Sequence, residues 1–511
     1  MKVFLAYRDR DLDLAAELPP NAEALTQDLG LDILFRAMAA GDRFLPTVAR
    51  SAVLASLHDV GAIRYRQAVL ADCLAHPAVV RQLYALAAEA IERERRVWGY
   101  AGQSPDSVLT HSVNVMKLFV EMLRRVRRVA EEHASAFSSE GFTRLFAELA
   151  LELDDPYLTS VERHLQRLQF QDGVRVSAEL GPANLGVNYV LRRRGSTRSW
   201  RERIGLAERD SYVWELPARD DAGAQALGEM RSRGIALAAG ALAQSADHIL
   251  SYFAQLRSEL GFYVACLNLR DALDGAGAPT CLPEPGPVGE PMLRARGLYD
   301  ICLRLSMTGP VVGSDVDADG KALLVITGAN RGGKSTFLRA LGLAQLAMQC
   351  GMFVAAESFG ADVRDGLFTH FKREEDATLR SGKLDEELGR MSLIVDQVRP
   401  ESLVLLNESF ASTNEREGSE IGRQIVGALL EARVKVVYVT HMFDLASRFH
   451  AARSEESLFL RAERLPDGRR TFRLIEGEPL PTSHGQDIYR AIFSDKPAPQ
   501  SVEGEVAAAG H

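Results

Sequence analysis

The chain reads as a multidomain protein: a long α-helical region with a small β-like insertion, followed by an α/β domain built on a phosphate-binding loop. Three observations predict this. Helical periodicity dominates residues 24–170 and returns from about 222 to 273, with period-two alternation between. The segment Thr327-Gly328-Ala329-Asn330-Arg331-Gly332-Gly333-Lys334-Ser335-Thr336 matches G-x-x-x-x-G-K-[ST]. Strand-like and helix-like runs then alternate through about residue 493.

Taken in order, the helical region is typified by Asn114-Val115-Met116-Lys117-Leu118-Phe119-Val120-Glu121-Met122-Leu123, which sets apolar residues on one face and charges on the other. Near Asp172 the period changes: Val174, Val176, Val187, Tyr189 and Leu191 alternate with small or polar residues around Gly181-Pro182 and Gly186, as short strands do. Residues 275–291 hold five prolines and four glycines, a composition that breaks helices. The expected division is therefore a helical region at 1–105, and long helices at 106–274 with the β-like insertion at about 171–215. A linker at 275–291, an α/β domain at 292–495 and a disordered tail at 496–511 complete it.

The loop carries chemistry. It follows the apolar run Ala322–Ile326 and opens the helical pattern Phe337–Ala344, the strand, loop and helix order that makes the motif credible. Glycines let backbone N–H groups turn inward around phosphate, and the helix N-terminus adds a favourable dipole. Lys334 would reach the β- and γ-phosphates of a nucleoside triphosphate, and the Ser335 hydroxyl would ligate Mg²⁺. A second apolar strand, Leu403-Val404-Leu405-Leu406, ends in Asn407-Glu408; in P-loop ATPases such a strand brings a metal-organising carboxylate and, next to it, a catalytic one to the γ-phosphate. A third, Val434–Val439, ends in Thr440-His441, where a histidine can contact that phosphate.

Composition narrows the classes. With 60 Lys and Arg against 69 Asp and Glu, the net charge is −9, so a nucleic-acid contact must come from a local basic patch. Five widely spaced cysteines without a C-x-x-C pair fit a reducing compartment rather than a disulfide framework or a zinc site. The N-terminal apolar run is too short for a signal peptide, and no 18-residue apolar run suggests a membrane span, so a cytoplasmic protein is expected.

The loop, the Cys350-Gly351-Met352-Phe353-Val354-Ala355-Ala356 stretch, Leu367-Phe368-Thr369-His370, the Asn407-Glu408 strand end, Thr413 to Gly418, Val439-Thr440-His441 and Ser483-His484-Gly485 together resemble the ATPase domain of MutS-family DNA mismatch repair proteins. The resemblance implies an ABC-type P-loop ATPase domain acting as a dimer with nucleotide between the two copies. It implies that the upstream helices correspond to core and lever helices, and that the β-like insertion occupies the place of a DNA clamp. Carried over, Gly328, Asn330, Gly332, Gly333, Lys334, Ser335 and Thr336 would cradle ATP and Mg²⁺. Glu408 would polarise the attacking water, and His441 would sense the γ-phosphate. Ser335 and Asn407 would face the metal.

The chain departs from the family pattern in three places. Asn407 stands where the family has aspartate, which keeps an acceptor oxygen and loses a charge. Leu384 falls at the serine of the trans-acting signature; Ser381-Gly382 can offer a hydroxyl and a backbone donor to a partner's γ-phosphate, or else begin a solvated acidic helix. No N-terminal mismatch-recognition domain with its Phe-x-Glu wedge is expected. The one match, Phe146-Ala147-Glu148, has the spacing of a buried Phe beside an exposed Glu on a helix.

For DNA, the best patch is Arg192, Arg193, Arg194, Arg198, Arg201 and Arg203, six arginines against Glu202 in the clamp-like insertion. Arg124, Arg125, Arg127 and Arg128 form a second group, with Glu131 and Glu132 placed to occupy some of them by i,i+4 pairing. The leading reading is a dimeric ATPase that clamps duplex or branched DNA under ATP control without reading mismatches directly. The alternative is an ATP-dependent scaffold or signalling switch that binds a protein partner and no DNA.

Overall fold

The computed structural model describes residues 2–97, 104–170, 173–192, 215–217, 219–275, 277–307, 309–373, 382–452, 454–465 and 469–480. Helices α1 (Ala22–Leu29), α2 (Leu31–Ala39) and α3 (Leu45–Leu54) are short and sharply punctuated. Gly30 ends α1 in the left-handed region at φ 69°, and Pro46 sits in the first turn of α3. They are followed by α4 (Val60–Ala75), α5 (Pro77–Val97), α6 (Pro105–His133), α7 (Glu140–Glu152) and α8 (Asp155–Arg167). Ser104, Ser139 and Asp154 start the last three by accepting the N–H groups of Ser107, Phe142 and Tyr157. The period change expected near residue 172 is a hairpin, β1 (Val176–Leu180) antiparallel to β2 (Gly186–Leu191). Helix α9 (Asp221–Asp274) then runs for 54 residues. A helical region followed by a mixed α/β domain is thus the observed order.

The chain divides into two units that are each discontinuous in sequence: Met1–Asp13 with Ala71–Val264, and Leu14–Leu70 with Ala265–His511. In the first, α5 and α6 pack against each other, and Leu83, Leu86, Ala87, Val115, Phe119 and Met122 on them are buried. Leu109 and Val113 of α6 meet Ile235 and Ala239 of α9, with Val174 and Leu191 of the hairpin segment against them. Phe137, Phe142 and Phe146 form an aromatic cluster with ring centroids 4.5–5.5 Å apart. Phe146 is therefore core, and Glu148 pairs with Arg144 at 3.0 Å. The N-terminal segment is pinned by one buried carboxylate: Glu259 of α9 accepts the N–H groups of Leu5, Ala6 and Leu12 and the Gln255 amide. Arg124, Arg125 and Arg127 are already paired with Glu162, Glu89, and Glu131 with Asp155. The i,i+4 partner expected at Glu131 is among them.

The second unit continues with β3 (Glu284–Gly286), β4 (Leu293–Leu298), α10 (Ile301–Ser306), β5 (Ser314–Asp317), β6 (Leu323–Thr327), α11 (Lys334–Gln349), β7 (Ser358–Asp362) and β8 (Leu367–Phe371). It ends with α12 (Lys383–Val395), β9 (Leu403–Asn407), α13 (Glu415–Glu431), β10 (Lys435–Val439), α14 (Phe443–Ala451), β11 (Ser457–Arg464) and β12 (Arg470–Glu476). A six-stranded sheet has the order β12-β11-β6-β10-β9-β8, parallel except for β12 at its edge. A smaller sheet, β3-β7-β4-β5, takes its first strand from the Pro/Gly-rich stretch. Strands β6 and β10 are buried at every position, as near-continuous apolar runs must be when both faces of a parallel sheet are covered.

One face packs on α13 and α14 through Val325, Leu406, Val436, Val426, Leu429 and Leu445. Side chains of this kind each contribute about 1.5–3 kcal/mol when fully buried. On α11, Gly342 allows close approach: a Cβ there would meet Leu29 and Leu405 methyls at 2.8 Å. The polar end of α11 is satisfied by a closed network. Gln345 donates to Gln349 Oε1 and Asp362 O, and Gln349 donates to Leu57 O and Arg364 O. Among the described residues no helix is long and apolar enough to cross a membrane.

Candidate nucleotide site

Register places the site. Val439 of β10 lies opposite both Ile326 of β6 and Asn407 of β9, so the three strands end level with one another. The residues that follow them, the Gly328 loop, Glu408 and Thr440-His441, therefore emerge at one edge, the carboxyl edge where ligands bind in open α/β sheets. Thr440 N–H donates to Ile326 O at 3.1 Å and Glu408 N–H to Val439 O at 2.8 Å, which fixes the second and third segments to the sheet.

The loop closes because three of its residues adopt positive φ: Gly328 at 109°, Arg331 at 58° and Gly333 at 92°. For the glycines this is free of Cβ strain, and nothing larger fits. A Cβ on Gly328 would lie 2.9 Å from Ala462 N, on Gly332 2.6 Å from Ala462 Cβ, and on Gly333 2.8 Å from Phe472 O. Strands β11 and β12 thus back the loop. Lys334 opens α11 with its ammonium donating to Gly328 O at 2.9 Å and Ala329 O at 3.1 Å. Burial pushes its pKa down, nearby Glu408 opposes that, and Arg470 adds to it.

Ser335 Oγ donates to Asn407 Oδ1 at 2.9 Å. Asn330, exposed, and Thr336, half-buried, complete the loop side chains. Glu408 is 30% exposed, and its Oε2 lies 3.9 Å from Nδ1 of His441, itself 42% exposed. Glu408 sits at φ 54° and Phe410 at 63°, left-handed conformations that cost about 1–2 kcal/mol each for residues with a Cβ. The structure thus gathers Gly328–Thr336, Asn407, Glu408 and His441 at one place. Gly382 caps α12. Ser381, Arg193, Arg194, Arg198, Arg201, Arg203 and the Ser483-His484-Gly485 motif lie outside the described residues. Arg192 is exposed at the end of the hairpin, with Nε 2.8 Å from Ser177 Oγ.

Sequence reasoning missed a cavity of about 280 Å³ beside the loop, lined by Met307, Val311, Val312, Arg331, Thr336 and Phe472 among others. These residues come from separate segments, and no spacing signals their meeting. The donor set suits a hard cation: a hydroxyl and an amide oxygen within hydrogen-bond reach, next to a carboxylate. Among the described residues no group of three or more His, Cys, Asp or Glu side chains is placed to hold a metal ion.

A parallel sheet that delivers a glycine loop, a lysine and a strand-end carboxylate to its carboxyl edge defines a domain of the P-loop ATPase class. Comparison with known proteins refines this. Residues 58–276 match the MutS2 N-terminal domain, and residues 324–500 match MutS domain V. The chain is similar to MutS protein homolog 4 of Mus musculus, 29% identical over 150 residues that make up 29% of this chain and 16% of the relative. It is similar to the DNA mismatch repair protein MutS of Thermus aquaticus, 34% identical over 142 residues, 26% of this chain and 18% of the relative. The MutS of Thermotoga neapolitana is 36% identical over 129 residues, 25% and 16% respectively. The chain is homologous to MutS-family proteins at low identity, over matched segments that span less than a fifth of these relatives. Homology to their ATPase domain implies a capacity to bind ATP and Mg²⁺.

Proposed function

We propose that this chain is a MutS-like, ATP-dependent DNA-binding protein of the mismatch repair and recombination class, hydrolysing ATP as a homodimer and closing on duplex or branched DNA without reading mismatches directly. The observation that carries this is Glu408 beside Lys334 and the Ser335–Asn407 pair, inside the MutS domain V match. The loop N–H groups and Lys334 bind the phosphates, and Asn330 and Thr336 complete the cradle. The cavity edged by Phe472 and Val312 takes the base, since an apolar slot suits its flat faces. Ser335 with Asn407 would hold Mg²⁺, which when bound would neutralise phosphate charge. Glu408 accepts a proton from the attacking water, and His441, within 3.9 Å of it, contacts the γ-phosphate. Gly382, with Ser381, offers donors to the nucleotide of the partner copy.

DNA contact is assigned to Arg192, Arg193, Arg194, Arg198, Arg201 and Arg203, whose phosphate contacts would be sequence-independent and salt-sensitive. A second reading, an ATP-dependent switch on a protein partner, is favoured by the ion pairs that already engage Arg124, Arg125 and Arg127. The deciding experiment measures ATP turnover with duplex, mismatched and four-way-junction DNA at low and moderate salt, with Glu408→Ala as control. Stimulation by one DNA form, lost in the variant, is expected. Turnover indifferent to every DNA, with no DNA retained at low salt, would move the function to the protein-partner switch.

Asn407 sets the metal term. Two unit charges about 4 Å apart interact by about 4 kcal/mol at an effective dielectric near 20, and asparagine forgoes that attraction. Asn407→Asp should therefore lower the Mg²⁺ concentration for half-maximal turnover by about tenfold or more, since tenfold corresponds to only about 1.4 kcal/mol. A Mg²⁺ titration that superimposes on the wild-type curve would remove Asn407 from the metal site.

A further inference from the structure

The turn that carries Glu408 is held in a conformation its own residues disfavour. Glu408 and Phe410 both have positive φ, and Ser409 lies between them. Such a turn persists only where its surroundings over-determine it. The surroundings converge on His370, fully buried at the end of β8. His370 Nδ1 lies 2.7 Å from Ser409 Oγ, and its ring stacks on Phe410 at 5.5 Å between centroids. The other ring nitrogen, Nε2, lies 3.0 Å from Glu387 O on α12. Ser409 O accepts from Tyr438 OH at 2.7 Å, which ties the same peptide to β10. Glu387 returns the connection, its Oε1 accepting from Ser412 Oγ at 2.9 Å. One imidazole thus touches both residues that follow Glu408 and the helix that follows Gly382.

The proton inventory gives the ring a defined tautomer. Ser409 Oγ also lies 2.8 Å from His370 O, so one hydroxyl proton faces two acceptors when the ring is neutral. Burial, reinforced by Arg390, pushes the His370 pKa down to about 4, which keeps the ring neutral at physiological pH. The carbonyl of Glu387 can only accept, so Nε2 carries the proton and donates to it, while Nδ1 and His370 O face the single Ser409 hydroxyl proton as its two acceptors. The ring therefore donates to α12 through Nε2 and meets the Ser409 hydroxyl at Nδ1.

We propose that His370 is a positioning residue for Glu408: by gripping Ser409 with one ring nitrogen and Glu387 with the other, it holds the carboxylate-bearing turn against α12 in the geometry that turnover needs. This rests on the hydrolytic reading given above. His370 is fully buried and closed to nucleotide and solvent, so it acts on the rate and not on binding.

The test uses His370→Ala, His370→Asn and His370→Gln in the full chain, alone and with Glu408→Ala. His370→Ala should lower kcat by about 10- to 100-fold, as small displacements of a catalytic group do, with KM for ATP within about twofold of wild type. Asparagine places an amide where Nδ1 stands and should recover most of kcat, whereas glutamine reaches only the Nε2 position and should recover less. Added to Glu408→Ala, the alanine change should lower kcat no further, because it acts through that carboxylate. Should His370→Ala fail to fold, the asparagine–glutamine comparison and Ser409→Ala carry the same contrast.

A His370→Ala chain with normal kcat overturns the inference alone, as does a loss in the three variants that simply follows their melting temperatures, or a further fall on top of Glu408→Ala. A wild-type chain without turnover overturns the hydrolytic reading and this inference together.

Discussion

Changing Lys334 to alanine should weaken ATP binding by about 100-fold, read by titration with a fluorescent ATP analogue. Hydrogen bonds to charged groups contribute about 1.5–3 kcal/mol, and a tenfold change corresponds to about 1.4 kcal/mol. Lys334 is suited to the role because its ammonium is already drawn in over the loop, on the carbonyls of Gly328 and Ala329. Phosphate would replace neutral acceptors with charged ones. The pH dependence has a definite sign. Burial lowers the Lys334 pKa, so the free chain loses this proton at a lower pH than an ordinary lysine does. A bound triphosphate favours the charged amine and raises the pKa again, so binding takes up a proton between the two values. Affinity should therefore fall as pH rises through the depressed value, and the alanine variant should lack that component. Binding within about threefold of wild type, or an identical pH profile in the variant, would remove Lys334 from phosphate recognition.

The loop and its lysine were legible because their chemistry is contiguous: ten residues in a row supply the glycines, the ammonium and the hydroxyl. The order of a helical region before an α/β domain was legible from period alone, and so was the change to strands near Val174–Leu191, which is the β1–β2 hairpin. The pairing of Arg127 with Glu131 could be read from spacing; its second partner, Asp155, could not, because it comes from the next helix but one. Phe472 gives no signal in a sequence. It is one aromatic on an edge strand, and only the hairpin of β11 and β12 brings its carbonyl against Gly333. His370 was visible only as part of a motif string. Its meaning depends on Ser409, 39 residues away, and on a helix between them, and contacts of that kind are made by the register of β8 with β9.

Glu408→Gln should reduce turnover by about 10²–10³-fold and leave ATP binding within about threefold of wild type, since a positioned general base contributes on that scale. Glutamine keeps the size and one carbonyl oxygen of glutamate and cannot take a proton, so the change isolates the chemistry from the shape. The neighbouring residue sharpens the argument. Position 407 is already an amide, so Glu408→Gln leaves the end of β9 with no carboxylate. A chain with aspartate at 407 would have a substitute only if that side chain could reach the same water. The geometry says otherwise: Asn407 Oδ1 is engaged by Ser335 Oγ on the loop side, while Glu408 Oε2 lies toward His441. The double variant Asn407→Asp, Glu408→Gln should therefore turn over no faster than Glu408→Gln, even where Asn407→Asp alone improves metal use. Recovery of turnover in the double variant would show that the two positions share the base function, and that proximity to the loop, not the strained turn that aims Glu408, is what the reaction requires.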